Sequence, residues 1–226
     1  MTGKLITVEN RKVYYIQDNE AEFMVIQLIS HEETAAMDQQ YELINDHVSL
    51  AAVIVDDWNQ DLSPWKAEAV FGRQDFGDGA KATLEYITDS LLPYLEKNAG
   101  RKLPVILAGY SLAGLFALWS VYQTDIFAAC MSASGSMWFK EWIDYAGSNT
   151  ILTKTVYLSL GDREHRSRNP VMSQVKDCTE KMYEQLKEKG VTCTLEYNPG
   201  NHFVDVDKRC ARGISWCLEV LRSVAV

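Results

Sequence analysis

Residues 104–119 read PVILAGYSLAGLFALW, an apolar run broken once by Gly109-Tyr110-Ser111-Leu112-Ala113-Gly114. Val105, Ile106 and Leu107 have the composition of a buried parallel strand, and Leu112, Leu115, Phe116 and Trp119 recur at helical spacing. The spacing predicts a strand, a sharp turn and an amphipathic helix, with Ser111 where the backbone reverses. A serine on such a turn is pushed into a strained, exposed position, and only small residues around it let strand and helix pack. Gly109, Ala113 and Gly114 meet that demand, Ala113 standing where the usual G-x-S-x-G string has its second glycine. Taken alone, the string also fits a plain helix N-terminus with Ser111 as its N-cap.

The rest of the chain narrows the choice. Its 226 residues, 47% of them hydrophobic, suit one large domain spanning 1–226. A net charge of -9, with no basic stripe, argues against nucleic acid and anionic membrane surfaces as partners. Neither a charged-then-apolar leader nor an apolar run approaching 18 residues is present, so the expectation is a cytoplasmic protein. Cys130, Cys178, Cys193, Cys210 and Cys217 include no C-x-x-C pair and read as buried, unreactive thiols. Gly77-Asp78-Gly79-Ala80-Lys81-Ala82 loosely fits a dinucleotide fingerprint, but no strand leads into it. With no Walker A string and no H-E-x-x-H, neither a cofactor nor a metal is expected.

Strand patterns fall at 5–8 and 13–16, as an edge hairpin, and at 23–29, 50–55, 104–108, 127–132, 155–160 and 191–197. Helices are predicted at 34–45, 79–97, 112–123, 170–189 and 205–222, with a loop from 56 to 79 and a mixed segment from 133 to 149. Leu84, Ile87, Leu91 and Leu95 form one stripe, which Pro93 should kink. Asn169-Pro170 reads as an N-cap followed by proline at the first helical position, and Val206, Cys210, Ile214, Cys217 and Leu221 form the closing stripe. The alternation gives an α/β protein with a mainly parallel, twisted sheet and helices on both faces.

Ligands of such a sheet bind beyond the carboxyl ends of the strands. Three of those loops carry the groups that acyl chemistry needs. Ser111 follows the strand at 104–108, Gly161-Asp162-Arg163-Glu164-His165 follows 155–160, and Pro199-Gly200-Asn201-His202-Phe203 follows 191–197. Serine at its ordinary pKa is a poor nucleophile and needs a neutral imidazole to take its proton. His202 is the expected base. His47 precedes a strand on the wrong side of the sheet, His165 lies on the acid loop, and His31 ends the strand before the first crossover helix. Either Asp162 or Glu164 can supply the carboxylate that fixes the imidazole tautomer.

The GYSLAG turn, the acidic GDRE loop and the late GNH loop, in the order Ser, acid, His, resemble an α/β-hydrolase. The resemblance is nearest the esterase group that includes enterobactin and feruloyl esterases, and it covers the chain from about residue 20 to its end. Ser134-Gly135-Ser136-Met137-Trp138 is similar to a Ser-x-Ser-x-Trp string that recurs there. The resemblance implies a serine esterase acting on a small-molecule ester. It favours Glu164 over Asp162 as the acid, and it places the oxyanion donors at the N-H groups of Leu112 and Glu33. Where many relatives have His-Gly before the second donor, this chain has His31-Glu32-Glu33.

Trp58, Trp65, Tyr110, Trp138 and Trp142 are the expected pocket walls, suited to an aryl or medium-sized acyl ester. The short segment after 133 leaves no room for a large cap. Two rivals to hydrolysis share these features. One is acyl transfer by the same three residues, and the other is a non-catalytic binding protein on the same scaffold, for which the Glu32-Glu33 departure speaks.

Overall fold

The computed structural model describes residues 2–224. Its eight strands are β1 (Lys4–Val8), β2 (Arg11–Ile16), β3 (Phe23–Ile29), β4 (Val48–Ile54), β5 (Val105–Tyr110), β6 (Phe127–Ala133), β7 (Thr155–Gly161) and β8 (Thr192–Asn198). They form one sheet in the order β1-β2-β4-β3-β5-β6-β7-β8. Only the β1/β2 and β2/β4 pairs are antiparallel; from β4 to β8 every neighbour is parallel. The carboxyl ends of β3 and β5 to β8 therefore open on one rim, with β5 near the middle.

Between the strands run α1 (Met37–Ile44), α2 (Trp58–Leu62), α3 (Ala80–Tyr86), α4 (Leu92–Ala99), α5 (Leu112–Ser120), α6 (Trp142–Ser148), α7 (Val175–Glu188) and α8 (Val206–Val224). Strand periodicity splits the apolar side chains between two layers. Met24, Ile26 and Leu28 of β3 join the layer that holds α3 to α7, whereas Phe23, Val25 and Ile29 join the one under α1 and α8.

Several elements depart from the predicted pattern. The helix expected at 34–45 begins as a 3-10 turn, Glu32–Ala36, before α1, and Asn45 ends it at φ 50°. Within 56–79 lies the short α2, whose N-cap Asp57 accepts the N-H of Gln60 at 3.1 Å. The helix carrying Pro93 is broken by a π turn, Ile87–Leu91, immediately before α4, whose first turn holds the proline, which has no N-H to donate back into the preceding helix. Asn169 Oδ1 does accept the N-H groups of Val171 and Met172, but regular α-helix starts only at Val175. Rather than amphipathic, α5 is buried at all nine residues, because β5 and β6 cover one side and α2 reaches another.

No large cap forms between β6 and β7. Their link folds into α6, and Trp142 is fully buried there, stacked on Tyr145 and edge-on to Tyr122. Phe116 on α5 is also fully buried in this layer. Phe116→Ala is expected to cost about 3–5 kcal/mol of stability, read from the urea midpoint at unchanged denaturant slope; a loss under about 1 kcal/mol would contradict this packing.

Candidate active site

Ser111 sits at φ 58°, ψ -124°, between the last residue of β5 and the first of α5. Ser111 stands at the N-cap position of α5, but its side chain makes no capping hydrogen bond, so it does not serve the helix as a cap. A side-chain-bearing residue occupies such a backbone region only when its surroundings enforce it. Here Ser111 N-H donates to Ala133 O at 3.0 Å and Ser111 O accepts from Ser136 N-H at 3.0 Å, which lock the turn to the end of β6. Gly109 is the steric condition, since a Cβ there would lie 2.1 Å from the carbonyl oxygen of Ala113.

Loops after β7 and β8 bring two more side chains to Ser111. His202 Nε2 lies 3.0 Å from Ser111 Oγ, and His202 Nδ1 lies 2.8 Å from Glu164 Oε2. The two loops pack closely because position 161 is glycine: a Cβ there would lie 2.7 Å from Gly200 O and 2.9 Å from Glu164 Oε1. Beyond Gly161 a 3-10 turn, Glu164–Arg166, swings Glu164 inward, where it is 8% exposed. Asp162 instead stays outside and accepts the N-H of Gly200 at 2.8 Å. Its carboxylate braces the loop and makes no bond to His202.

Glu164 is heavily bonded. Oε1 accepts the N-H of Gly161 at 2.6 Å, the hydroxyl of Ser134 at 2.5 Å and Nη2 of Arg209 at 3.3 Å. Burial acts to raise its carboxyl pKa, but the bond and charge of His202, with the Ser134 and Gly161 donors, outweigh it and hold the group below the ordinary carboxylate value. Ionised, Glu164 only accepts. The proton on the imidazole is therefore placed at Nδ1, and Nε2 is left to accept from the Ser111 hydroxyl.

A cavity of about 670 Å³ opens at Ser111, within the usual range for small-molecule sites. Trp58, Phe71, Trp138, Phe203, Met172 and Val175 give it apolar walls, and Arg163, Arg166, Ser136 and Asn201 give polar ones. Of the expected walls, Trp58 and Trp138 are there. Trp142 belongs to the core, and Trp65 packs on Phe139 and Tyr145 while donating to Lys140 O. Tyr110 also lies elsewhere. As the last residue of β5 it shares the face of Ile106 and Ala108, toward α8, and its hydroxyl donates to the carbonyl of His202 at 2.6 Å.

Leu112 is the first residue of α5, so its N-H has no partner within the helix. Glu33, the second expected oxyanion donor, is not among the cavity's lining residues, and its carboxylate turns back to accept the N-H of Ser30 at 2.7 Å. His31 pairs with Asp56 and His47 with Asp18, both away from the cavity. Sequence reasoning missed Phe71, inside a loop without periodicity, and Arg209. The signal for Arg209 was a charge three residues after Val206, on the buried flank of the α8 stripe.

A family model described as "Putative esterase" matches residues 10–205. The chain belongs to this esterase family. It is thus an enzyme of the hydrolase class. It is 27% identical over 168 residues to the uncharacterized protein YbbA of Bacillus subtilis (strain 168), covering 69% of this chain and 67% of that one. An IroE-like serine hydrolase from Shewanella oneidensis superposes with a TM-score of 0.79 at 17% identity, over 95% of this chain and 79% of that one. The enterobactin esterase FES of Shigella flexneri, crystallised with 2,3-di-hydroxy-N-benzoyl-glycine, does so with a TM-score of 0.69 at 17% identity, over 98% of this chain and 60% of that one. The two superpositions establish a shared α/β-hydrolase fold. Among the described residues no group of His, Cys, Asp or Glu side chains is placed to hold a metal ion, and no helix is long and apolar enough to cross a membrane.

Because its carboxyl pKa is depressed on folding, Glu164 contributes stability above the ordinary carboxylate range and loses it as pH falls through and below about 4. The stability gap between wild type and Glu164→Gln should be largest at neutral pH and shrink on acidification. Urea titrations across that range check this; a gap that stays constant would contradict an ionised Glu164.

Proposed function

We propose that the chain is a serine carboxylic-ester hydrolase working through an acyl-enzyme, with Ser111 as nucleophile, His202 as general base and acid, and Glu164 as the carboxylate that orients the imidazole. The observation that carries this reading is the unbroken line of contacts from Glu164 Oε2 through His202 to Ser111 Oγ, at 2.8 and 3.0 Å. Ser111 Oγ attacks the ester carbonyl while Nε2 takes its proton. Glu164 stabilises the imidazolium that forms, and the oxyanion takes the N-H of Leu112 at the start of α5. Collapse expels the alcohol, which receives the proton from Nε2. Water, activated by the same nitrogen, then releases the acid and restores the Ser111 hydroxyl.

The substrate class follows from the walls. Trp58, Phe71, Trp138 and Phe203 suit an aryl or medium-sized acyl ester, and the benzoyl compound named with the Shigella flexneri esterase is aromatic in the same way. Ser111 and His202 are only half-buried, which leaves the acyl-enzyme open to water and favours hydrolysis over acyl transfer. A purely binding role offers no reason for a strained serine aligned on an imidazole. Five free cysteines fit a reducing, cytoplasmic setting.

Hydrolysis of 4-nitrophenyl acetate tests the reading. Wild type is expected to turn over, and Ser111→Ala to lose about 10³-fold or more in kcat. Equal turnover by Ser111→Ala would contradict the assignment. With a competing alcohol present, the free acid should remain the main product; a product that is chiefly the new ester would favour the transferase.

A further inference from the structure

Arg209 has no part in the steps above, yet it is 2% exposed and lies directly behind the acid. Its Nη2 donates to Glu164 Oε1 at 3.3 Å and to Ser134 Oγ, which itself donates to the same carboxylate oxygen. Its Nη1 donates to Tyr110 OH at 2.6 Å, and that hydroxyl passes on to the backbone carbonyl of His202. The guanidinium also lies 5.2 Å from the Tyr110 ring centroid, and that ring is 5.3 Å from the imidazole. Burial pushes the Tyr110 phenol well above its usual pKa, so it is a neutral donor throughout the working range. One cation from α8 thus ties together the loops that carry Glu164 and His202 and the strand that leads to Ser111.

Resting on the ester-hydrolase reading, we infer that Arg209 is a positioning residue with two separable effects on the Glu164–His202 pair. Its planar fork fixes both partners, the carboxylate directly and the histidine backbone through Tyr110. Its charge lies against that of Glu164 and offsets the pull of the carboxylate on the imidazolium, so the carboxylate orients the imidazole without overstabilising its charged form. Other charged groups around the pair are engaged or peripheral. Asp162 braces Gly200, Asp205 pairs with Lys208 at the start of α8, and Arg163 and Arg166 lie at the cavity wall. Tyr110 on β5, Asp207 and Cys210 on α8, and Glu33, whose charge acts on Cys210, are further titratable neighbours; His165 lies on the acid loop, and Glu164 takes its bonds from Gly161, Ser134, Arg209 and His202 instead.

The two effects give different signatures. The base must be neutral to act, so kcat/KM rises along an acidic limb as the imidazole loses its proton. Removing the Arg209 charge leaves Glu164 uncancelled, favours the imidazolium and moves that limb to higher pH. Removing a link in the fork without changing charge lowers kcat and leaves the limb in place.

The test is the pH profile of 4-nitrophenyl acetate hydrolysis for wild type, Arg209→Met, Arg209→Lys and Tyr110→Phe, with Ser111→Ala as reference and circular dichroism to verify folding. Arg209→Met is expected to lose about 10²-fold in kcat with little change in KM, and to shift the acidic limb up by about one pH unit. Arg209→Lys, which keeps the charge but cannot span both partners, should lose kcat while its limb stays at the wild-type position. Tyr110→Phe should lose about tenfold in kcat with the limb unmoved. A limb that fails to rise in folded Arg209→Met, or rises equally in Arg209→Lys, overturns the proposal. If Arg209→Met does not fold, an unchanged kcat in both Arg209→Lys and Tyr110→Phe does so. Wild-type activity in Ser111→Ala would instead overturn the hydrolase reading on which the proposal rests.

Discussion

Ser111 is held at φ 58°, and most of what is particular about the chain follows from how that conformation is enforced. A strand and a buried helix meet at one residue, so the backbones on either side must nearly touch. That is possible only because Gly109 has no side chain to strike Ala113 O, and a Cβ on Gly114 would likewise meet Ser132 Oγ at 2.9 Å and Gly109 O at 3.1 Å. Two backbone hydrogen bonds to the end of β6 then fix the turn against relaxation. The burial of α5 on every side resists its displacement, since unlocking the turn would disturb a close-packed layer.

The parallel sheet supplies the remaining constraint. Because β5 to β8 all run the same way, their outgoing loops reach one rim, and groups 91 and 38 residues apart in sequence become hydrogen-bonded neighbours. Precision at that rim comes from below. Arg209, Ser134 and Gly161 converge on one oxygen of Glu164, leaving the other to face His202. A buried cation beside a buried carboxylate is a poor source of net stability, which accords with the positioning role inferred for Arg209.

The turn at Ser111 was legible in the sequence because its demands are local: small residues at fixed offsets between a strand pattern and a helix pattern. His202 was legible from a glycine-rich loop just past a strand. Choosing between Asp162 and Glu164 was harder, because both lie on one loop and the choice depends on the 3-10 turn that Gly161 permits. Tyr110 was misplaced for a plain reason: proximity to Ser111 in sequence suggested the cavity, whereas strand alternation sends the side chain to the opposite face. Trp142 failed similarly, as an aromatic residue near the expected site that belongs to a helix stripe. Arg209 is hard to read from the sequence because α8 carries several charges beside its apolar stripe, and only its burial against Glu164 sets this one apart.

The most direct test of an activated serine at this rim is covalent labelling with a fluorophosphonate, read by intact mass and peptide mapping on wild type, Ser111→Ala and His202→Ala. It requires no knowledge of the natural ester. Stoichiometric labelling at Ser111, abolished in Ser111→Ala and strongly slowed in His202→Ala, is the predicted result. A folded wild-type protein that remains unlabelled at Ser111, or that labels equally fast without His202, would contradict it.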